Sequence, residues 1–362
     1  MLEFSLTPAT SPRPESERAQ ILSSPGFGKH FTDHMVTVTW TPADGWHDAQ
    51  VKPYGPIQLD PSAAVLHYAQ EIFEGMKAYR HADGSIWAFR PDQNAARFQR
   101  SARRLALPEL PAEDFLEAVR SLVSADADWV PEPSGGEASL YLRPFMFASE
   151  AFLGVRPAAE ITFCVIASPA GPYFAGGVKP VRIWLSSEYT RSAPGGTGAA
   201  KCGGNYAASL AAQVEAIERG CDQVCFLDAV ERKWVEELGG MNLYFVQDDG
   251  TVVTPELTGT ILEGVTRDSI LTLLDDAGHK VDERRISIDE WREGAASGRI
   301  REVFACGTAA VVTPVGLLAE PDGETVIGGG ETGPVTASVR AALLDLQYGR
   351  SADDRGWMHR LV

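Results

Sequence analysis

The sequence has few cysteines. Its five, Cys164, Cys202, Cys221, Cys225 and Cys306, are scattered, with no C-x-x-C pair and no zinc spacing. That speaks against a disulfide framework, predicts no metal centre and favours a reducing, cytoplasmic compartment. Basic runs are absent too: 32 lysines and arginines face 49 aspartates and glutamates, a formal charge of −17. A surface of that sign repels nucleic acid and anionic membranes, while leaving room for a local basic pocket. No apolar run reaches the length of a membrane span. Residues 1–20 are polar and carry prolines, without the apolar core of a signal peptide. No internal repeat is visible. The expectation is a soluble, cytoplasmic protein whose partners are small molecules.

What is present is a chain of 362 residues, 44% apolar and 22% charged, enough for two cores. Residues 1–25 read as an arm with little structure of its own. Residues 30–40 read as a strand with Val36, Val38 and Trp40 on one face. The segment 65–80 starts as a short helix and continues past Gly75 as a strand. Asp83-Gly84 then turns the chain back through 86–90 as a hairpin. Pro91-Asp92 opens a helix carrying Arg97, Arg100, Arg103 and Arg104, three of which belong on a solvated face. A second helix covers 113–124, and a strand at 138–150 sets Tyr141, Arg143 and Phe145 on one side. An arginine between aromatics is either a surface cation–π contact or a carboxylate receptor, since its planar fork binds carboxylates bidentately.

The glycine-rich run 171–178, with Tyr173 and Phe174 inside it, marks a linker between domain 1–170 and domain 179–362. After it come a strand at 181–185, a helix over 205–219 stopped by Gly220, and strands paired around a turn at 228–232. A hairpin in 243–255, a helix over 266–278, a short helix about Trp291, one strand through 300–316 and a helix from Pro334 complete the chain. Hairpins mixed with helices predict two α+β domains rather than a doubly wound sheet.

The stretch 191–215, RSAPGGTGAAKCGGNYAASLAAQVE, holds one lysine, Lys201, among glycines and alanines. Glycines let another molecule approach the backbone closely. A lysine desolvated in such a place is favoured as the free amine, the form that makes Schiff bases. A solvated loop lysine is the plain alternative. Downstream, Glu236 and Glu237 are neighbours in a strand pattern and so face opposite sides. The helix start near Thr266 offers backbone amides to an anion.

Together with these features, the segments FGKHFTDHM, HYAQEIFEGMKAYR, LYLRP, KCGGNYAASL, EELGGMN, GVTRDSI and REVFACGTAAVV follow one another in a telling order. In that order and spacing the chain resembles the branched-chain amino acid aminotransferases, of the fold-type IV pyridoxal-phosphate family, over nearly its whole length. The resemblance implies a smaller N-terminal α/β domain and a larger C-terminal domain with a pseudo-barrel of mixed strands. It also implies pyridoxal 5′-phosphate as cofactor and a homodimer.

By the same resemblance Lys201 carries the cofactor as a Schiff base and then moves the substrate Cα proton. Glu237 faces the pyridine nitrogen and Tyr206 the phenolic oxygen. The phosphate falls to Arg97, the Val265 and Thr266 amides and Thr308. Glu236, pointing away, is expected to be a solvated acid. The amides of Thr308 and Ala309 meet the substrate α-carboxylate. Phe27, Tyr68, Phe73, Tyr141 and Tyr173 line the side-chain pocket, with Arg143 nearby. The implied activity is reversible, ping-pong amino transfer between L-leucine, L-isoleucine or L-valine and 2-oxoglutarate.

Two departures stand out. Ala310 and Thr313 occupy the positions of a C-x-x-C pair found in some animal relatives, and Gly240 stands where many relatives have threonine. A D-amino acid aminotransferase or an aminodeoxychorismate lyase would keep the fold and change the reaction. Those relatives are usually shorter and lack the FGKHFTDHM and LYLRP segments. A non-catalytic binding protein would be expected to lose Lys201 or Glu237, and both are here.

Overall fold

The computed structural model describes residues 1–132, 137–171 and 178–362. Tyr173 and most of the run 171–178 therefore lie outside the described residues. The chain divides into two compact units, one of Met1–Ala175, Ala200–Gly203 and Asp345–Val362, the other of Gly176–Ala199 and Gly204–Leu344.

In chain order the elements begin with β1 (Ser5–Leu6), α1 (Glu15–Ser23), β2 (His34–Thr41), β3 (Gly45–Pro53), α2 (Ala64–Tyr68) and β4 (Glu71–Phe73). Next come β5 (Met76–Arg80), β6 (Ile86–Phe89), α3 (Pro91–Arg104), α4 (Ala112–Ala125), β7 (Ser139–Ala148) and β8 (Ile161–Ala170). Then follow β9 (Val181–Ser186), α5 (Gly203–Ala207), α6 (Leu210–Glu218), β10 (Gln223–Leu227), β11 (Val235–Leu238), β12 (Asn242–Gln247) and β13 (Val252–Thr254). The chain ends with α7 (Val265–Asp276), β14 (Val281–Glu283), α8 (Ile288–Ser297), β15 (Ile300–Gly307), β16 (Val311–Glu320), β17 (Gly323–Val326), α9 (Pro334–Gln347) and β18 (Met358–Arg360).

The first unit is built on a sheet in the order β1-β3-β2-β8-β7-β5-β6-β18, with β4 also paired to β7. Its hydrophobic side follows from alternation: Ile161, Phe163, Val165 and Ala167 of β8 are all buried. Facing them, α4 buries Phe115, Ala118, Val119 and Leu122 at helical spacing, and α3 adds Ala95, Phe98 and Ala102. The rings of Phe98, Phe115 and Phe163 meet with centroids 5.3, 5.6 and 6.2 Å apart. Of the four arginines expected on α3, Arg100, Arg103 and Arg104 are exposed and Arg97 is buried.

The N-terminal arm is more ordered than its composition suggests. β1 pairs in parallel with β3, and α1 buries Ile21 in the core of this unit. Pairing with an existing sheet edge supplies the structure that the arm's own composition does not.

The second unit holds a mixed sheet, β11-β10-β9-β16-β15-β12-β13-β14, with β17 on β16. Two expectations change here. The alanine-rich run expected as one helix is split into α5 and α6. Ser209 sits in the gap, and its hydroxyl donates to the Tyr206 carbonyl at 2.7 Å, taking a helix acceptor for itself. Gly220 does end α6, with a left-handed φ of 69°. The segment 300–316, expected as one strand, is the hairpin β15–β16. Gly307 pairs with Val311, whose φ of 61° turns the chain.

Candidate active site

In the first unit the backbone of Lys201 is tied to two elements. Its N–H donates to Ser101 Oγ on α3 at 2.9 Å, and its carbonyl accepts from the Phe73 N–H of β4 at the same distance. Two residues on, the Gly203 N–H donates to Glu71 Oε1. Between these anchors the amine of Lys201 lies 4.8 Å from the centre of the Phe73 ring. Lys201 is half-buried rather than a solvated loop lysine.

Behind Phe73, Glu74 is fully buried. Its oxygens accept from Arg97 Nε at 2.7 Å, Arg97 Nη2 at 2.8 Å and Asn94 Nδ2 at 2.8 Å. Burial alone would raise this carboxyl, but the charge and hydrogen bonds of Arg97, with the charge of Lys201, hold it below the usual range. Arg97 is thus a cation fixed in place by a carboxylate that sequence reasoning missed. The F-E-G motif contained it, but its partner lies on another element.

Arg143 lies between aromatics as its strand position predicts. Its guanidinium is 4.8 Å from the Phe73 ring centre and 5.4 Å from that of Tyr141, and Nη2 donates to the Tyr141 hydroxyl at 3.2 Å. Its Nε is buried without a hydrogen-bond partner among the described residues. Phe27 meets Tyr141 edge-on at 5.0 Å. Gly75 is required here, because a Cβ would run into the Tyr141 hydroxyl. Phe27, Phe73, Tyr141, Arg143 and Lys201 therefore form one cluster. Tyr68 lies at the surface, 38% exposed, with its hydroxyl donating to the Leu153 carbonyl.

In the second unit Glu237 of β11 is 1% exposed. Oε1 lies 2.7 Å from Arg191 Nη1 and accepts from the Leu262 N–H at 2.9 Å, and Oε2 lies 3.4 Å from Asn242 Nδ2. Arg191 is itself buried, and its Nη1 also donates to the carbonyls of Thr260 and Gly198 at 3.1 and 3.4 Å. This guanidinium, invisible to motif reading, gives Glu237 an ion-pair partner in the interior.

Val265 and Thr266 open α7 after Gly264, whose backbone is extended and which has no side chain to cap the helix. The first amides of α7 thus form the kind of terminus that anions occupy. Tyr206 on α5 is half-buried, as are Thr308 and Ala309 in the β15–β16 turn. A Cβ at Gly240 would meet Tyr206 Cε1 at an ordinary 3.6 Å, so the missing threonine leaves no cramped position.

Glu236 contradicts its expectation. It does face away from Glu237, but it is 6% exposed rather than solvated, because the segment 255–261 covers that side of β11. Its Oε1 accepts from the Thr260 hydroxyl, and burial raises its carboxyl above the usual range.

Among the described residues no group of three metal-ligating side chains is gathered, and no helix is long and apolar enough to cross a membrane. The profile of the family described as Amino-transferase class IV matches residues 71–318. A probable branched-chain-amino-acid aminotransferase of Streptomyces coelicolor is 62% identical over 99% of this chain and 98% of its own length. A branched-chain-amino-acid aminotransferase of Mycolicibacterium smegmatis is 60% identical over the same shares. The crystal structure of the Escherichia coli branched-chain amino acid aminotransferase has a TM-score of 0.75 at 28% identity, covering 90% of this chain and 99% of its own. That of the T.th. enzyme, complexed with N-(5′-phosphopyridoxyl)-L-glutamate, has a TM-score of 0.73 at 30% identity, over 90% and 98%. These relatives do not favour the D-amino acid aminotransferase or lyase reading. The chain belongs to the class IV aminotransferases, and within them to the branched-chain-amino-acid aminotransferases.

Proposed function

We propose that the chain transfers the amino group between L-leucine, L-isoleucine or L-valine and 2-oxoglutarate, with pyridoxal 5′-phosphate as cofactor. The observation that carries this reading is the Arg191–Glu237 pair, an interior carboxylate held by a guanidinium and suited to hold a proton on a pyridine nitrogen. The donor set fits the rest of that cofactor. Lys201 offers an amine for its aldehyde, Tyr206 a hydroxyl for its phenolic oxygen, and the α7 amides, Thr308 and Arg97 a setting for its phosphate. Bound there, the protonated ring supplies the electron sink for the pair left when the substrate Cα proton departs.

The Lys201 amine would take the proton from the substrate Cα and hold it for return within the same site, with no diffusion step. Its fixed backbone keeps the amine's reach constant between the two transfers. The amides of Thr308 and Ala309 orient the α-carboxylate. Phe27, Phe73 and Tyr141 enclose an aliphatic side chain and exclude water from it. Arg143 with the Tyr141 hydroxyl receives the second carboxylate of glutamate. When leucine is bound, that hydroxyl and water satisfy the guanidinium instead.

A homodimer in the cytoplasm is the expected working form, and five buried, unpaired cysteines suit a reducing compartment. The test is spectroscopic. Protein purified with the cofactor should absorb in the visible, lose that band with L-leucine or L-glutamate, and regain it with 2-oxoglutarate. D-Alanine should leave it unchanged. Borohydride should fix the cofactor's mass on the wild type and not on Lys201→Ala. A wild type that stays colourless, or a variant still labelled, would sink the assignment.

A further inference from the structure

Beside β11, on the side away from Glu237, the second unit holds a pocket of about 340 Å³. This lies within the range of small-ligand sites. Its apolar walls include Val230, Val235, Pro255 and Ile261, and the Trp234 indole stands among them. Four acids line it, Asp228, Glu231, Glu236 and Glu256, against one base, Arg285.

Three of the acids are committed. Asp228 accepts from the backbone amides of Val230, Glu231, Lys233 and Trp234, and Glu231 accepts from the Trp234 indole N–H. Glu256 pairs with Arg285 Nε at 3.0 Å. Glu236 is different. It is only 6% exposed, and its Oε2 has no hydrogen-bond partner among the described residues. A buried carboxylate oxygen without a donor is costly, and a ligand that brings one removes that cost.

We propose that this pocket is a second ligand site, and that it takes a compact organic cation, an alkylammonium with a short branched body, whose N–H meets Glu236 Oε2. The lining excludes an anion, which would meet four carboxylates. A divalent metal is disfavoured because no three ligating side chains converge among the described residues. An alkylammonium satisfies both features of the pocket, an apolar wall and a single buried acceptor. Trp234 already receives cations, with Lys233 Nζ 4.8 Å and the Arg285 guanidinium 5.7 Å from its ring centre. Burial holds the Glu236 carboxyl above its usual range, which an apposed ammonium would reverse. This site stands whether or not the transamination reading does, since its lining side chains take no part in that chemistry.

The test uses the intact holoenzyme and N,N-dimethylisobutylamine. Being tertiary, this amine keeps one N–H when protonated and cannot form an imine with an aldehyde cofactor. Titration calorimetry at constant ionic strength should show saturable binding. The neutral N,N-dimethylisobutyramide should bind at least about tenfold more weakly. Two variants locate the site: Glu236→Gln removes the charge, and Val230→Trp, at a position 73% exposed, fills the mouth without touching the core. Each should weaken amine binding about tenfold or more while melting as a folded protein. No binding by the wild type up to about 10 mM, equal binding of the amide, or unchanged binding in either folded variant would overturn the proposal.

Discussion

Two arginines, one in each unit, do opposite things. Arg191 is spent inside the protein, paired with Glu237. Removing one member of a buried ion pair strands the other, at a cost of about 3–5 kcal/mol. Arg191→Met should therefore lower thermal stability and weaken cofactor retention. The double variant Arg191→Met with Glu237→Leu should recover much of the stability and none of the activity. Recovery of activity with the stability would show that the pair serves the fold alone. Arg143, by contrast, keeps a buried Nε available beside Phe73 and Tyr141. Arg143→Ala should slow the glutamate half-reaction far more than the leucine one in single-turnover measurements. A receptor for a charged group is worth more than an apolar contact of the same area, by about 1.5–3 kcal/mol for the hydrogen bonds alone. Equal losses in both half-reactions would assign Arg143 to shaping the pocket.

At the level of elements, what could be read from the sequence was short in range. The hairpin at Asp83-Gly84, the helix opened by Pro91 and the strand through Tyr141 and Arg143 follow from turn chemistry and period, and each is present. The split between α5 and α6 was hidden because alanines dominate the run, while one serine hydroxyl decides where the helix breaks. The turn at 308–310 was hidden for a related reason, since Ala309 and Ala310 lead straight into the apolar run from Val311 and neither is a turn former. Glu74, Ser101, Asn242 and Arg191 were missed because their meaning is a partner on a distant segment. Ser101 and Lys201 are 100 residues apart in sequence. The start of α7 shows the same dependence. A Cβ on Gly264 would run into Asn242 Oδ1, the side chain that also donates to the Leu262 carbonyl at 3.1 Å. Gly264→Ala should destabilise the protein by about 1–3 kcal/mol and weaken cofactor binding. A variant that melts and binds like the wild type would remove Gly264 from the account.

For the whole molecule, acidity has a sign that can be worked out. Glu74 sits below its ordinary 4.5 despite its burial, through Arg97, and Asp228 below its ordinary 3.8 despite its burial, through four backbone donors. Each adds stability above its unfolded value, which is lost as pH falls through the folded one. Glu71 and Glu236 are raised by burial and act in the opposite direction. From about pH 5 downward the wild type should lose unfolding free energy, and Glu74→Gln should show a shallower slope. Parallel slopes would mean that Glu74 titrates alike in both states. A last consequence belongs to β18, which lies antiparallel on β6, with Met358 opposite Phe89 and Arg360 opposite Trp87. Because the Leu361 N–H also donates to the Ile86 carbonyl, removing the tail would uncover a row of unmet backbone groups. A protein shortened by a handful of residues there should gather into soluble clusters, or precipitate, well before its chemistry fails.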